Sequence, residues 1–200
     1  MKYIVLALMW VGFGVLHSFL ISLRFTNWVN RITSQYFAFY RLAYNVFSLV
    51  LLALIMFYTK TLDSVLVLKF LPPWTILQEV LLAACGVTML WAFLSYDPLE
   101  FIGIRQVLDL RNRKEFAEHK AITKKGLLGA VRHPMYLATI VAMWSLNSTR
   151  ADILVHVILT VYILVGIRLE ERKLVKQFGS EYTAYQQEVP ALVPFTKKAS

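Results

Sequence analysis

The sequence predicts an all-α fold: a polytopic integral membrane helical bundle of five transmembrane helices, N-terminus out and C-terminus in. Three observations carry this prediction. The 200-residue chain is 58% hydrophobic, with a mean hydropathy of +0.58. Charged residues make up 16% of it, against about 25% in an ordinary soluble domain, which is too few to clothe a soluble core of this size. Its basic residues collect in alternate connections between apolar stretches, as the positive-inside rule expects.

The spans fall roughly at 3–23, 38–58, 74–95, 134–149 and 152–169, each near the ~20 residues a helix needs to cross the hydrocarbon. The first is longer than a signal-peptide core and lacks a small-residue cleavage site, so it reads as a retained span. Between the second and third, Val65–Leu71 is apolar, but Pro72-Pro73 cuts it short, which predicts an interfacial or re-entrant piece. The polar turn Asn147-Ser148-Thr149-Arg150 joins the last two spans into an antiparallel helical hairpin. With the N-terminus outside, 17 of the 21 Lys and Arg residues lie inside, leaving Lys2, Lys60, Lys69 and Arg150 outside. The connection 96–133 contains an amphipathic piece, Phe101 to Arg111, expected on the membrane surface.

Several function classes drop out. A net charge of +9 on so apolar a chain points to anionic lipid, and nucleic acid is set aside. The single Cys85 excludes an intrachain disulfide, and four histidines without ligand spacing give no metal motif. His156 lies toward the outer end of the fifth span, where a structural role is expected. Trp28, Trp74 and Trp91 read as interface anchors, and Trp10 and Trp144 as packing.

The unusual polar residues concentrate at one depth, on the inner side. His17 and Ser18 lie in the inner part of the first span, and Arg41 and Asn45 open the second. Asp97 and Glu100 follow the third, Arg132-His133 precede the fourth, and Glu170-Glu171 close the fifth. Ionisable groups at membrane depth are costly and mark functional cavities, so a shared cytoplasm-facing site is expected. Within GLLGAVRHPMY (126–136), Pro134 suits the first position of a helix that begins at His133. A helix start offers free N–H groups and partial positive charge, and Arg132 and His133 add to it. That combination reads as an anion cradle, although an Arg-His pair at a membrane boundary also suits lipid phosphate. Gly126 and Gly129 would let the backbone approach a ligand. A carboxylate from Glu170 or Glu171 at the same depth makes the pair of sites suit a zwitterion. Their bland alternative is a solvated helix continuation in which Glu170 pairs with Lys173.

RHPMY, followed one helical hairpin later by E-E-x-x-L-x-x-x-F-G-x-x-Y-x-x-Y and prolines, resembles the isoprenylcysteine carboxyl methyltransferase and phospholipid methyltransferase superfamily. The matching residues are Arg132–Tyr136, Glu170, Glu171, Leu174, Phe178, Gly179, Tyr182, Tyr185, Pro190 and Pro194. The preceding HKAITKKG is similar to the loop ahead of the family's RHP. LHSFLIS, YRLAYN and YDPLEFIGIRQ, in the N-terminal half, are similar to the bacterial NnrU-like or methanethiol S-methyltransferase-like branch. Residues 1–200 then read as one membrane methyltransferase domain. Its three-span part is 1–95, and 96–200 holds the cofactor-binding loop, hairpin and C-terminal segment.

The resemblance implies S-adenosyl-L-methionine as cofactor, bound at the cytoplasmic face of a bacterial inner membrane. It implies a small thiol or lipid-soluble acceptor, in contact with membrane lipids. Carried over residue by residue, His119, Thr123, Gly126, His133 and Tyr136 line the cofactor, with Glu170 or Glu171 at its amino group. Arg132 orients the cofactor carboxylate or an anionic acceptor, and His133 or His17 takes the thiol proton. Arg41, Tyr44 and Asn45 are the candidate substrate contacts. Ala138 stands where the family often has Gly. Two rivals remain. An NADPH-dependent sterol-type membrane reductase tends to have Asn at the position of His133 and extra spans. A non-enzymatic membrane scaffold would use the same loop to hold lipid headgroups.

Overall fold

The computed structural model describes residues 1–63, 65–95, 99, 102–105, 107, 108, 122, 124, 126–194 and 196. His119, Thr123, Asp97 and Glu100 lie outside the described residues, as do Phe101, Gln106 and residues 109–111 of the amphipathic piece. The described elements run in this order: α1 (Lys2–Leu20), α2 (Leu23–Thr33), a 3₁₀ turn (Ser34–Phe39) and α3 (Tyr40–Leu62). Next come β1 (Leu66–Leu68), α4 (Trp74–Ser95) and a second 3₁₀ turn (Gly126–Gly129). The chain closes with α5 (Pro134–Trp144), β2 (Ser148–Thr149), α6 (Arg150–Phe178) and α7 (Ser180–Glu188).

Among the described residues, four helices are long and apolar enough to cross a membrane: Lys2–Leu20, Tyr36–Leu62, Trp74–Leu94 and Arg150–Phe178. Their large apolar side chains point outward, as with Leu8, Val15, Leu49, Phe57 and Val87, each well over half exposed. Such surface is intolerable in water and expected in lipid. The chain is therefore a helical integral membrane protein.

The structure forms two compact units. The first comprises Met1–Val67, Phe93–Glu118 and Ser148–Ile158. In it α1 packs on α3 through Leu6, Trp10 and Gly14, one helical turn apart on one face. Buried Trp10 donates its indole N–H to Thr59 Oγ1 at 3.1 Å, so the packing role expected of it holds. α2 is amphipathic: Phe25, Trp28, Val29 and Ile32 repeat at helical spacing against Arg24, Asn27 and Arg31. Ser22 caps it by accepting the Phe25 N–H at 3.3 Å. That cap was legible in ISLRFTNW but fell outside the span-based reading.

At the other end of this unit, Asp63 gathers three segments. Lys2 Nζ donates to its Oδ1 at 2.9 Å, the Tyr3 hydroxyl donates at 3.0–3.1 Å, and the Ala151 N–H reaches Oδ2 at 3.1 Å. The Lys2 hydrogen bond, ahead of the other contacts, holds the Asp63 carboxyl below its ordinary value. Beside it, the Thr149 N–H and hydroxyl donate to Asp152 Oδ2, and the Asp152 N–H donates back to Thr149 Oγ1. This reciprocal capping box starts α6 and satisfies the free donors of its first turn. Lys60 Nζ completes the group with a 2.8 Å bond to Asp152. Val65–Leu71, expected as an interfacial or re-entrant piece, contributes β1, which pairs with β2.

The second unit comprises Leu68–Ala92, His119–Asn147 and Leu159–Ser200. Its α5 has 11 residues, about 16 Å long against the ~30 Å of a hydrocarbon core. Of the span 134–149 expected from the sequence, only Pro134–Trp144 is helical. Past Trp144 its polar groups are partnered: the Ser145 carbonyl accepts from Gln78 Nε2, and Asn147 Oδ1 accepts the Phe70 N–H. α6 runs on through Glu170 and Glu171 to Phe178, so those carboxylates do not end a helix and the dipole does not oppose them. Gly179 (φ +60) then turns the chain, and α7 folds back with Tyr182, Tyr185 and Val189 packed against Leu174, Val175 and Phe178.

Candidate active site

The RHP segment is held between backbone and carboxylate. Pro134 occupies the first turn of α5, and His133 is its N-cap in non-helical geometry (φ −125°, ψ 63°). The Arg132 N–H donates to the Pro190 carbonyl at 2.9 Å, and the His133 N–H to the Ala191 carbonyl at 3.0 Å. Through this short ladder the segment after α7 lies alongside the start of α5.

The Arg132 side chain is 6% exposed and that of Glu171 16% exposed. Arg132 Nε donates to Glu171 Oε1 at 2.6 Å, and Nη2 stands 2.5 Å from the same oxygen. Nη1 donates to the carbonyls of Gln186, at 3.0 Å, and Val189. His133 Nε2 is 3.1 Å from Glu171 Oε1, and Gln186 Nε2 donates to Oε2 at 3.0 Å. The anion in the predicted cradle is thus the chain's own Glu171, clasped by Arg132, His133 and Gln186. Such charge-assisted, multiply donated bonds fix geometry as well as adding energy.

Glu170 differs. Its side chain is 44% exposed, the Tyr136 hydroxyl donates to its Oε2 at 3.0 Å, and His133 Nδ1 stands 4.0 Å away. The His133 and Tyr136 rings stack with centroids 5.5 Å apart. Arg132, His133, Tyr136, Glu170 and Glu171 are therefore brought together in one place. Around them, buried Tyr185 donates its hydroxyl to the Leu128 carbonyl at 2.6 Å, tying the 3₁₀ turn to α7. Burial, then the charge of Glu171, raises the Tyr182 phenol to about 12, so Tyr182 stays protonated and is no base at neutral pH.

Gly126 has φ +62, and a Cβ there would overlap the edge of the Trp91 ring. Its requirement for glycine is set by Trp91, which packs on it besides standing 42% exposed near the end of α4. Gly129 is likewise needed for close approach, to the Lys124 carbonyl.

In the first unit the Tyr44 hydroxyl lies 2.7–2.8 Å from the His17 ring nitrogens, and the two rings are 5.2 Å apart. Phe13, Tyr40 and Phe37 continue the aromatic row, and the Tyr40 hydroxyl donates to the Leu20 carbonyl at 2.7 Å. Asn45 Nδ2 donates to the Ile102 carbonyl at 2.7 Å. Gly103 (φ +99) lies so close to Arg41 and Leu42 that a Cβ would sit 2.7 Å from the Leu42 nitrogen. The YRLAYN segment therefore interlocks with Ile102 and Gly103. Gly103 and Gln186 were missed in the sequence; a lone Gly between two isoleucines and a Gln four residues after Tyr182 were their only signals.

A family model described as a protein of unknown function (DUF1295) matches residues 21–189. The chain belongs to this family. It is 39% identical over 110 residues to a methanethiol S-methyltransferase of a Pseudomonas species, covering 54% of the chain and 42% of that relative. It is 31% identical over 186 residues to methanethiol S-methyltransferase 1 of Bradyrhizobium diazoefficiens, covering 92% of the chain and 64% of the relative. It is 29% identical over 184 residues to the Mycobacterium tuberculosis methanethiol S-methyltransferase, covering 92% and 74%. The chain thus spans less than two thirds of the length of the first two relatives. No solved structure matches it. The relatives bear out the resemblance to the isoprenylcysteine carboxyl methyltransferase-like proteins read from RHPMY, the paired glutamates and the tyrosines.

Proposed function

We propose that the protein is an integral membrane S-adenosylmethionine-dependent methyltransferase. Its acceptor is a small thiol or another lipid-soluble molecule, taken at the cytoplasmic face of a bacterial inner membrane. The observation that carries this reading is the knot just described: Arg132–Tyr136, the paired glutamates and the segment after α7 are joined by hydrogen bonds, in a chain whose relatives are named methanethiol S-methyltransferases. Residues 1–200 work as one domain, with five crossings, N-terminus out. The fourth runs from Pro134 through Thr149. Its helical part is Pro134–Trp144, followed by a turn at Ser145 and Leu146 and the strand Ser148–Thr149, and partnered backbone is what bilayer depth demands of the non-helical part.

The residues present fit the cofactor. Glu170 is an exposed carboxylate beside a tyrosine hydroxyl and stacked rings, suited to an ammonium group and its attached chain. S-adenosylmethionine supplies an electrophilic methyl group on a sulfonium. Glu171 and Arg132 position rather than bind: they fix His133 and the turn against α6. Gly126, with His119 and Thr123 upstream, lines the cofactor. A thiol of pKa ~8.5 must lose its proton to attack. With Nε2–H directed at Glu171, His133 offers Nδ1 as acceptor for that proton. Catalysis is otherwise positioning and removal of water.

Titration of the purified protein with S-adenosylhomocysteine and with NADPH tests this, alongside transfer of a labelled methyl group to methanethiol. The nucleoside should bind, and Glu170→Gln should weaken it on the order of tenfold or more while the protein stays folded. Unchanged affinity in both Glu170→Gln and Glu171→Gln would remove their role, and binding of NADPH alone would select the reductase.

A further inference from the structure

A second feature of α6 takes no part in that chemistry. Arg168, Arg172 and Lys176 recur every four residues, on one face of the helix, over about 12 Å. With Glu171, Val175 and Gln186 they line a cavity of about 410 Å³ between α6 and α7. The one carboxylate in this lining, Glu171, is already matched by Arg132 and His133. Among the described residues no carboxylate is in ion-pair contact with Arg168, Arg172 or Lys176. Among the described residues, the cavity therefore presents three cations with no partner charge of their own.

Depth says what should answer them. The stretch of α6 without a charged residue runs from Ile153 to Ile167, about 22 Å, and Arg168 is the first charge beyond it. Headgroups occupy the few ångströms outside a ~30 Å hydrocarbon core, so Arg168 and Arg172 stand at headgroup level and Lys176 just past it. Arginine guanidinium groups match phosphate oxygens bidentately, and lysine adds a mobile point charge. We propose that this face of α6 is a binding site for the phosphate of an anionic phospholipid headgroup, seated where the helix leaves the bilayer. The bound phosphate lies one side chain from the clasp, because Glu171 lines the cavity and also holds Arg132. The proposal stands independently of the methyl-transfer reading.

Native mass spectrometry of the full chain, released from detergent with defined lipids, tests it. Anionic phosphatidylglycerol should bind in preference to phosphatidylcholine. Arg168→Gln, Arg172→Gln and Lys176→Gln should each weaken it about fivefold, the effect of one surface cation on anionic lipid. Arg172→Lys should recover part of the loss. Lys173→Gln, a cation one residue away that does not line the cavity, should leave lipid binding unchanged. Equal losses in Lys173→Gln and Arg172→Gln would reduce the effect to net charge and overturn the site. Inorganic phosphate competing as well as the lipid would overturn the lipid assignment. A Gln variant that loses S-adenosylhomocysteine but keeps phosphatidylglycerol would hand the cavity to the nucleoside. Unfolding curves of each variant, matched to the parent, separate binding from misfolding.

Discussion

Glu171→Gln probes the clasp most directly. The substitution keeps shape and removes charge. Breaking a buried ion pair by neutralising one partner costs about 3–5 kcal/mol, because the other charge is stranded. Here the stranded guanidinium keeps the Gln186 and Val189 carbonyls, and the new amide oxygen can still accept from Nε. Against that, the amide NH₂ would face Gln186 Nε2, and Gln186 must turn its own amide over to present an oxygen. The net cost should be about 2–3 kcal/mol, or roughly 4–12 °C of melting temperature for a chain of this length. Glu170→Gln, which loses only a half-exposed bond from Tyr136, should move the melt by about 2 °C or less. Thermal unfolding of both variants in the same nanodisc, with hydrogen exchange at the Arg132 and His133 amides, makes the comparison. Equal melting of the two variants, or unaltered exchange at those amides in Glu171→Gln, would refute the clasp as the element that holds the turn.

Gly126→Ala should destabilise by about 2–4 kcal/mol, from a left-handed backbone and overlap with Trp91, and Trp91→Ala in the same chain should recover part of it. Tyr185→Phe should cost about 1 kcal/mol in a thermal melt by orphaning the Leu128 carbonyl. The Asp63 group carries a pH dependence. Its carboxyl is held below the ordinary value in the folded chain, so its contribution is fully present above about pH 4 and fades as pH falls through the lower folded value. Limited proteolysis of the N-terminus should accelerate on acidification, and Asp63→Asn should be fast at every pH; a pH-independent parent would refute the assignment.

The spans were legible because hydropathy reads residue by residue: 74–95 was placed to the residue and 3–23 to within three at its C-terminal end. Where tertiary contacts decide, the sequence misled. Nothing in YLATIVAMWSLNST signals that the helix stops at Trp144, because its end is set by Gln78 and Phe70, remote in the chain. Arg132, His133, Tyr136 and the paired glutamates were legible as a set, since an Arg-His-Pro at a helix start and two acids at the far end of a hairpin are each costly alone. Their division of labour was not. Adjacent residues on a helix point about 100° apart, and only the fold reveals that Glu171 faces Arg132 while Glu170 faces Tyr136.

That division has a consequence for how such a site can work. A motif that names an Arg, a His and two Glu suggests four groups for one ligand. Three of them satisfy one another: Glu171 neutralises Arg132, orients His133 and leaves the ring's second nitrogen toward Glu170. Preorganisation of this kind fixes groups before the ligand arrives, so reorganisation costs little when it binds. The segment after α7 supplies the remaining constraint, since Pro190 and Ala191 pin the backbone of the same two residues whose side chains Glu171 holds. Side chain and main chain thus fix Arg132 and His133 from opposite sides. It follows that truncation before Val189 should release the turn as fully as Glu171→Gln does, although it removes no charged group from the knot.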